Sequence, residues 1–282
     1  MKSKTQKLKK GLYIVSTPIG NLKDITLRAL DILKKSDIIL CEDTRISKKL
    51  LNFYDIKVKL VSYHKFNERK ISEQIVSEIH KYKIISLISD AGTPIISDPG
   101  KLLINECVSN NISIIPIPGV SSVTATASVS GFSEKFIFFG FLSEKLSSLK
   151  KELEMLRKID CSIILFSSPR KFLKNLEKFK EYFNDRELVI CREITKLHEE
   201  FIRLKVNNLT DLELNIKGEL TAIFSEKKVS TNSFNYLTES DKKIINKMLS
   251  KKTIKDIVDY FKDRNIPKRI IYNYCLEKKN EN

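Results

Sequence analysis

The chain has 282 residues, 41% of them hydrophobic, enough to bury the core of one large or two ordinary domains and too many for a disordered chain. Lys and Arg number 51 against 35 Asp and Glu, a formal +16; this favours a polyanionic partner such as nucleic acid or an anionic membrane surface, while the abundance of Lys, Ile and Asn also fits a bias in the coding DNA. Cys41, Cys107, Cys161, Cys191 and Cys275 make neither a C-x-x-C pair nor a metal-type cluster and point to a reduced cytosol, and no apolar run reaches membrane-spanning length, so a soluble protein is expected.

Residues 1–10 are basic and read either as a mobile tail or as a ragged terminus. Residues 12–15 predict a first strand, which ends in the Pro/Gly loop Ser16-Thr-Pro-Ile-Gly-Asn21. Asp24 is placed to cap a helix with Leu27, Leu30 and Leu33 on one face. Residues 38–41 predict a second strand running into Glu42-Asp-Thr-Arg45. Two acids and an arginine at a strand end either line a crevice or form a solvated salt-bridge knot. A helix over 46–53, a strand at 60–62, the polar segment 63–69 and a helix carrying Ile71, Ile75, Val76 and Ile79 follow.

Ile84, Ile85, Leu87 and Ile88 form an apolar run too short for a helix before the next breaker, and predict a buried strand. Beyond it, Asp90-Ala-Gly92 sets a carboxylate and a glycine at the strand's C-terminal edge, where open α/β sheets bind ligands. Pro94 holds Thr93 extended. Asp98-Pro-Gly100 turns the chain into a helix over 101–109 whose free N–H groups would face the same crevice. Taken alone, this is equally well two ordinary turns flanking a strand. A strand at 113–116 and the turn Ile117-Pro-Gly119 lead to a helix of small residues over 120–130, which admits close approach of a ligand or another backbone. Strand and helix alternate up to this point, the pattern of a mostly parallel sheet. Three Pro/Gly loops at one end of that sheet predict a small-molecule cleft.

The second half changes pattern. An aromatic strand at 136–141, a charged helix at 146–158 and strands at 161–166, 187–192, 201–206 and 220–224 are joined through Ser167-Ser-Pro-Arg170, Glu193-Ile-Thr-Lys196 and Lys217-Gly-Glu219. Fewer, longer strands predict a second α/β domain with a mixed sheet over 119–230, after a first over 11–118. Residues 236–282 predict three short amphipathic helices, centred on Ile245, Ile257 and Ile271. The last two are joined by Asp263-Arg-Asn-Ile266, with Pro267 as a first helical residue. This reads either as a helix-turn-helix or as a packed helical appendage. His64, His80 and His198 are few and scattered, so no metal site is expected.

In order along the chain, Leu12-Tyr-Ile-Val-Ser-Thr-Pro-Ile-Gly-Asn21, Glu42-Asp-Thr-Arg45, Ser89-Asp-Ala-Gly-Thr-Pro94 with Asp98-Pro-Gly100, Arg192-Glu193 with Thr195-Lys196, and Lys217-Gly-Glu219 resemble the ribosomal RNA small subunit methyltransferase I family. The similarity runs from about residue 11 to the C-terminus. It implies S-adenosylmethionine-dependent 2′-O-methylation of a cytidine ribose in 16S ribosomal RNA, at the decoding centre of the small ribosomal subunit. It also implies a tetrapyrrole-methylase-like fold of two α/β domains with the cofactor cleft between them, a small C-terminal helical domain, and a cytoplasmic homodimer.

Three positions depart from the family pattern: Ser16 stands where a proline is usual, Ser167 for an acid and Arg170 for a histidine, so no catalytic role is assigned there. On this resemblance the cofactor contacts Asp90, Gly92, Thr93, Asp98, Ser121 and Ser122 from the first domain, and Gly218 and Leu220 from the second. RNA would lie over Arg45, Lys196 and Lys217, with His64 in a matching polar segment. Glu42, Asp43, Glu193 and Glu219 are the candidates for proton acceptor or ribose positioning; each could instead pair with a neighbouring base, and the sequence does not rank them. The displacement itself needs no metal. A small-molecule or tetrapyrrole methyltransferase and a non-catalytic RNA-binding protein are the alternatives on the same scaffold, the latter suggested by Ser167 and Arg170.

Overall fold

The computed structural model describes residues 8–81, 83–212, 215, 217–227, 237–261 and 266–280. The chain divides into two compact units, 1–227 and 228–282. Most of the basic N-terminal stretch, 1–7, lies outside the described residues.

In the first unit, β1 (Gly11–Val15), β2 (Ile38–Cys41), β3 (Lys59–Ser62), β4 (Ile84–Leu87) and β5 (Ile114–Ile117) form a sheet of order β3-β2-β4-β1-β5, parallel throughout. Such strands bury both faces, which is why they read as unbroken apolar runs. One face is covered by α3 (Glu68–His80) and α4 (Lys101–Ser109), with Ile75, Ile79 and Leu103 against Leu12, Leu40 and Ile85. The other is covered by α1 (Leu27–Lys35) and α2 (Thr44–Phe53), with Ala29, Ile32, Leu33 and Leu51 against Tyr13, Val15 and Ile39. Because α1 leaves β1 on one face and α4 leaves the adjacent β4 on the other, a crevice opens at the C-terminal ends of these two strands.

The helix after the first loop differs from expectation. Thr26 is its cap, its hydroxyl accepting from the Ala29 N–H, and Asp24 ends a 3₁₀ turn over Leu22–Asp24 instead. Moving the start by two residues turns Leu27 outward, 83% exposed, and gives Ala29, Ile32 and Leu33 to the core.

The second sheet also has five strands rather than fewer: β6 (Phe136–Phe141), β7 (Ser162–Ser167), β8 (Glu187–Arg192), β9 (Glu200–Lys205) and β10 (Leu220–Phe224), in the order β6-β7-β10-β8-β9. Only β6 and β7 run parallel; the other pairs are antiparallel, so the sheet is mixed. On one face, α5 (Ser122–Ser130) places Val123 against Ile164, Val189 and Ile223. On the other, α6 (Leu146–Arg157), α7 (Pro169–Lys174) and α8 (Leu176–Phe183) bring Leu153, Phe172, Phe179 and Phe183 onto Ile163, Leu188 and Phe224. At the base of this core the buried Arg186 guanidinium donates to the carbonyls of Cys161 at 2.9 Å, Ser225 at 2.5 Å and Ile159. A buried cation is tolerated when its donors are satisfied in this way.

The second unit contains α9 (Glu239–Leu249), α10 (Ile254–Tyr260) and α11 (Lys268–Asn280) among the described residues. Capping boxes start the first two, Thr238 with Asp241 and Thr253 with Asp256. Ile245, Ile257, Phe261, Ile271 and Cys275 form its core. Pro267 stands immediately before α11, not inside it, and the connector 263–265 that would make a helix-turn-helix lies outside the described residues.

Candidate functional site

Three loops leave the C-terminal ends of β1, β4 and β5, and hydrogen bonds join them. The Thr17 N–H donates to the Gly92 carbonyl at 2.9 Å and the Gly92 N–H returns a bond to Thr17 at 3.1 Å. Ser16 Oγ and Thr93 Oγ1 are 2.9 Å apart, and Thr93 Oγ1 donates to the Val120 carbonyl at 3.3 Å. Gly119 lies against the same loop: a Cβ there would stand 2.8 Å from that of Ser16.

These loops and the facing end of the second sheet enclose a cleft of about 340 Å³, within the usual range for a small-molecule site. Asp90, Gly92, Thr93, Asp98, Ser121 and Ser122 line it from one side, and Gly218 and Leu220 from the other, so every residue expected to hold a cofactor meets in one cavity. Among the expected acids, Glu219 lines it as well. Sequence reading missed Ile19, Ile96, Ser97, Phe141, Phe166, Cys191, Ile194 and Thr221 on the same walls. The aromatic run at 136–141 was the available signal for Phe141, whose ring lies 5.5 Å from that of Phe166. No sequence signal announced Ile95 and Ser97, which hold φ of 76° and 71°, a strained conformation that side chains other than glycine rarely adopt and that gathers at ligand sites.

Carboxylates concentrate on the first-sheet side. Burial pushes the Asp98 carboxyl up to about 6, and the charges of Glu42 and Asp90 add to it. Asp90 is raised by burial too, although its Oδ1 accepts the Asp43 N–H at 3.1 Å. Glu42 is raised by burial and by Asp90, against the influence of His64. Glu42, Asp43, Arg45 and His64 do not line the cavity. Asp43 caps α2, accepting the Arg45 N–H at 2.8 Å, and is clasped by the Arg45 guanidinium at 2.6 Å. Those hydrogen bonds hold its carboxyl at about 2.

On the second-sheet side the turn after β8 is strained at Glu193, φ 51°, and Thr195, φ 66°. Glu193 Oε1 accepts from the Glu219 N–H at 2.8 Å and from Lys196 Nζ at 2.9 Å, and Lys196 also donates to Glu219 at 2.8 Å. Burial opposes the charge on Glu193, but these donors hold its carboxyl below the ordinary value; burial likewise opposes the charge on Lys196, and its two carboxylates hold it above. Gly218, φ 97°, leaves the space that the Glu193 carboxylate fills, since a Cβ would lie 2.6 Å from it. The first loop reaches this turn: the Asn21 N–H donates to Thr195 Oγ1 at 3.0 Å, and Gly20 lies against Lys196. Lys217 is exposed beside Gly218 and does not line the cavity. Ser167 lies on the cavity wall with its hydroxyl donating to the Ser168 carbonyl, while Arg170 is exposed on α7, away from the wall.

S-adenosylmethionine fits this donor set. The Phe141 and Phe166 rings offer an apolar wall to a purine, the hydroxyls of Thr93, Ser121 and Ser122 suit polar groups, and Asp90 and Asp98 suit a cationic ligand. Gly92 and Gly218 stand on the two facing walls, each with the positive φ that favours glycine.

The family model of the tetrapyrrole (corrin/porphyrin) methylases matches residues 11–210. "Ribosomal RNA small subunit methyltransferase I" of Rickettsia prowazekii (strain Madrid E) is 41% identical over 96% of this chain and 98% of its own length. The protein of the same name from Bacillus subtilis (strain 168) is 37% identical over 93% and 92%. Among solved structures, uroporphyrin-III C-methyl transferase from Thermus thermophilus complexed with S-adenosylhomocysteine superposes with a TM-score of 0.56 at 14% identity, covering 77% of this chain and 97% of that one.

Proposed function

We propose, because this chain belongs to the ribosomal RNA small subunit methyltransferase I family of the tetrapyrrole methylases, that it methylates the 2′-hydroxyl of a cytidine ribose in 16S ribosomal RNA at the decoding centre. S-adenosylmethionine is the methyl donor. The observation that carries the reading is the single cavity in which residues from Asp90 to Ser122 face Gly218 and Leu220. The same reading makes the protein a cytoplasmic homodimer acting on the small subunit, with α/β halves meeting near 118–119 and a helical domain from 236.

When bound, the donor supplies a methyl carbon activated by an adjacent sulfonium. The chain's task is to hold that carbon in line with the ribose oxygen, and such orientation is worth about 7–11 kcal/mol of barrier. In this assignment Asp90 and Asp98 balance the ligand's positive charge, and Phe141 and Phe166 exclude water. Glu219 is assigned as the acceptor of the ribose proton. It lines the cavity, its side chain is 74% exposed, and Lys196 holds one of its oxygens. Asp43 is a poor acceptor because Arg45 occupies both of its oxygens, and Glu193 Oε1 already takes two donors. In the same assignment Lys196, bonded to Glu219, stabilises negative charge growing on the attacking oxygen.

The test pairs calorimetry with S-adenosylhomocysteine and tritiated-methyl transfer to small subunits from a strain lacking the gene, followed by mapping of ribose methylation. Binding together with one restored 2′-O-methylcytidine is expected. Binding without transfer to RNA would overturn the substrate, and no binding would overturn the cofactor.

A further inference from the structure

The outer edge of the first sheet carries two features that methyl transfer does not use. β3 is the edge strand, two places from β4. With strands about 4.8 Å apart, its C-terminal end lies roughly 10 Å from the Asp90 loop. There the chain makes a hydrogen-bonded knot: Asn67 Nδ2 donates to the Ser62 carbonyl at 3.0 Å, Asn67 Oδ1 accepts the His64 N–H at 2.8 Å, and the Phe66 N–H donates to His64 Nδ1 at 3.3 Å. The knot displays the Phe66 ring, 95% exposed and edge-on to the His64 imidazole with centroids 6.0 Å apart. Lys65 and Arg69 flank it, exposed and without an ion pair among the described residues.

The second feature is a groove between α2 and β3. It starts at Arg45, at the same end of the sheet, and runs about 15 Å, the length of the ten-residue helix, to Lys57. Leu51, Ile56 and Leu60 line its apolar part; Arg45, Lys48 and Lys57 supply charge, and no acid lines it among the described residues. Asp55 pairs with Lys57 from outside the groove, in an exposed contact for which a phosphate competes, while Arg45 stays clasped to Asp43 through Nε and Nη2 with its side chain 87% exposed. Lys48 makes no ion pair among the described residues.

A cationic groove leading to a displayed ring is the construction by which proteins hold single-stranded nucleic acid with little sequence preference. We propose that this edge is a track for single-stranded RNA, in which Phe66 stacks a base flanking the methylated nucleotide and the groove from Arg45 past Lys48 to Lys57 carries its phosphates. The assignment rests on the ribosomal RNA reading above. The roughly 10 Å between the C-terminal end of β3, which carries the Phe66 loop, and the Asp90 loop makes the stacked base a neighbour of the target and not the target itself.

Fluorescence anisotropy with a short single-stranded RNA spanning the methylated site tests it, with S-adenosylhomocysteine calorimetry on each variant to verify an intact cavity. Phe66→Ala is expected to weaken RNA binding by about five- to 150-fold and to raise KM for small subunits with kcat little changed. Phe66→Trp is expected to retain binding, and Phe66→Leu to behave like Phe66→Ala. Lys48→Gln with Lys57→Gln is expected to reduce the slope of log K against log salt by about 1.4, roughly 0.7 for each phosphate no longer neutralised. Unaltered RNA affinity in Phe66→Ala, equal affinity in Phe66→Leu and Phe66→Trp, or an unchanged salt slope would each overturn the track. Should the unsubstituted protein bind the RNA with these sensitivities yet methylate nothing, the track stands and the activity falls; should it bind no RNA yet restore the 2′-O-methylcytidine on small subunits, the track falls and the activity stands.

Discussion

Gly218 shows how one missing side chain organises a site. Its φ of 97° and the Glu193 carboxylate in the space of its absent Cβ leave no room for alanine. Gly218→Ala is expected to cost about 1 kcal/mol or more of stability and to displace Glu193, lowering S-adenosylhomocysteine affinity; urea denaturation and calorimetry read the two effects. Asp98 sets a pH dependence. Its carboxyl is about 6 in the fold against 3.8 as an unperturbed group, mainly through burial. Below about pH 4 both states hold this proton and Asp98 costs nothing; between about pH 4 and 6 the unfolded chain releases it while the folded chain keeps it, so stability falls as pH rises through that window, and above about 6 the buried charge is a constant cost. Asp98→Asn is expected to raise stability by about 1–2 kcal/mol at neutral pH, allowing for partial exposure, and by little near pH 4, as thermal melts would show. Between the acids, Glu219→Gln is expected to lower kcat by about 10²–10⁴-fold in the methyl-transfer assay, whereas Asp43→Asn leaves the chemical step and, since asparagine caps α2 as well as aspartate, lowers Tm only slightly through loss of the Arg45 ion pair.

Elements matter here through their ends. The loops after β1, β4 and β5 are stiffened by proline and joined by the Thr17–Gly92 bridge, so the cavity floor is held by backbone pairing. Proline and glycine made these bends readable from the sequence, because their conformational limits are local. The strained turns at Ile95, Ser97, Glu193 and Thr195 were not readable, since local preference argues against left-handed residues other than glycine, the β-branched Ile95 and Thr195 above all, and only the surrounding packing enforces them. The start of α1 shows the same limit on a smaller scale. Asp24 and Thr26 are both acceptable caps by residue type, and the 3₁₀ turn before the helix decides for Thr26. Thr26→Ala is expected to cost about 1 kcal/mol in urea denaturation, the usual loss for a cap whose hydroxyl satisfies a first-turn N–H.

For the whole molecule, each unit builds its core from its own residues: the clusters of the first unit end at Phe224, and the helical cluster begins at Leu237. A chain ending at Lys227 is therefore expected to unfold cooperatively and to bind S-adenosylhomocysteine as the full chain does, which calorimetry checks. Apolar periodicity determined the alternating first half, the change of pattern near Gly119 and the helical C-terminal segment, because burial of one face is written into neighbouring residues. The Pro/Gly loops were legible likewise, since turn chemistry is local, and the family resemblance carried by their motifs named the residues from Asp90 to Leu220 that line the cavity. Only the tertiary structure decided which carboxylates are free. Glu193, Lys196 and Glu219 meet because β8 and β10 pair with Arg192 opposite Leu220, and Glu42 feels Asp90 because β2 lies beside β4. Charge interactions depend on distances between segments far apart in the chain, and sheet register sets those distances without leaving a mark in the local sequence.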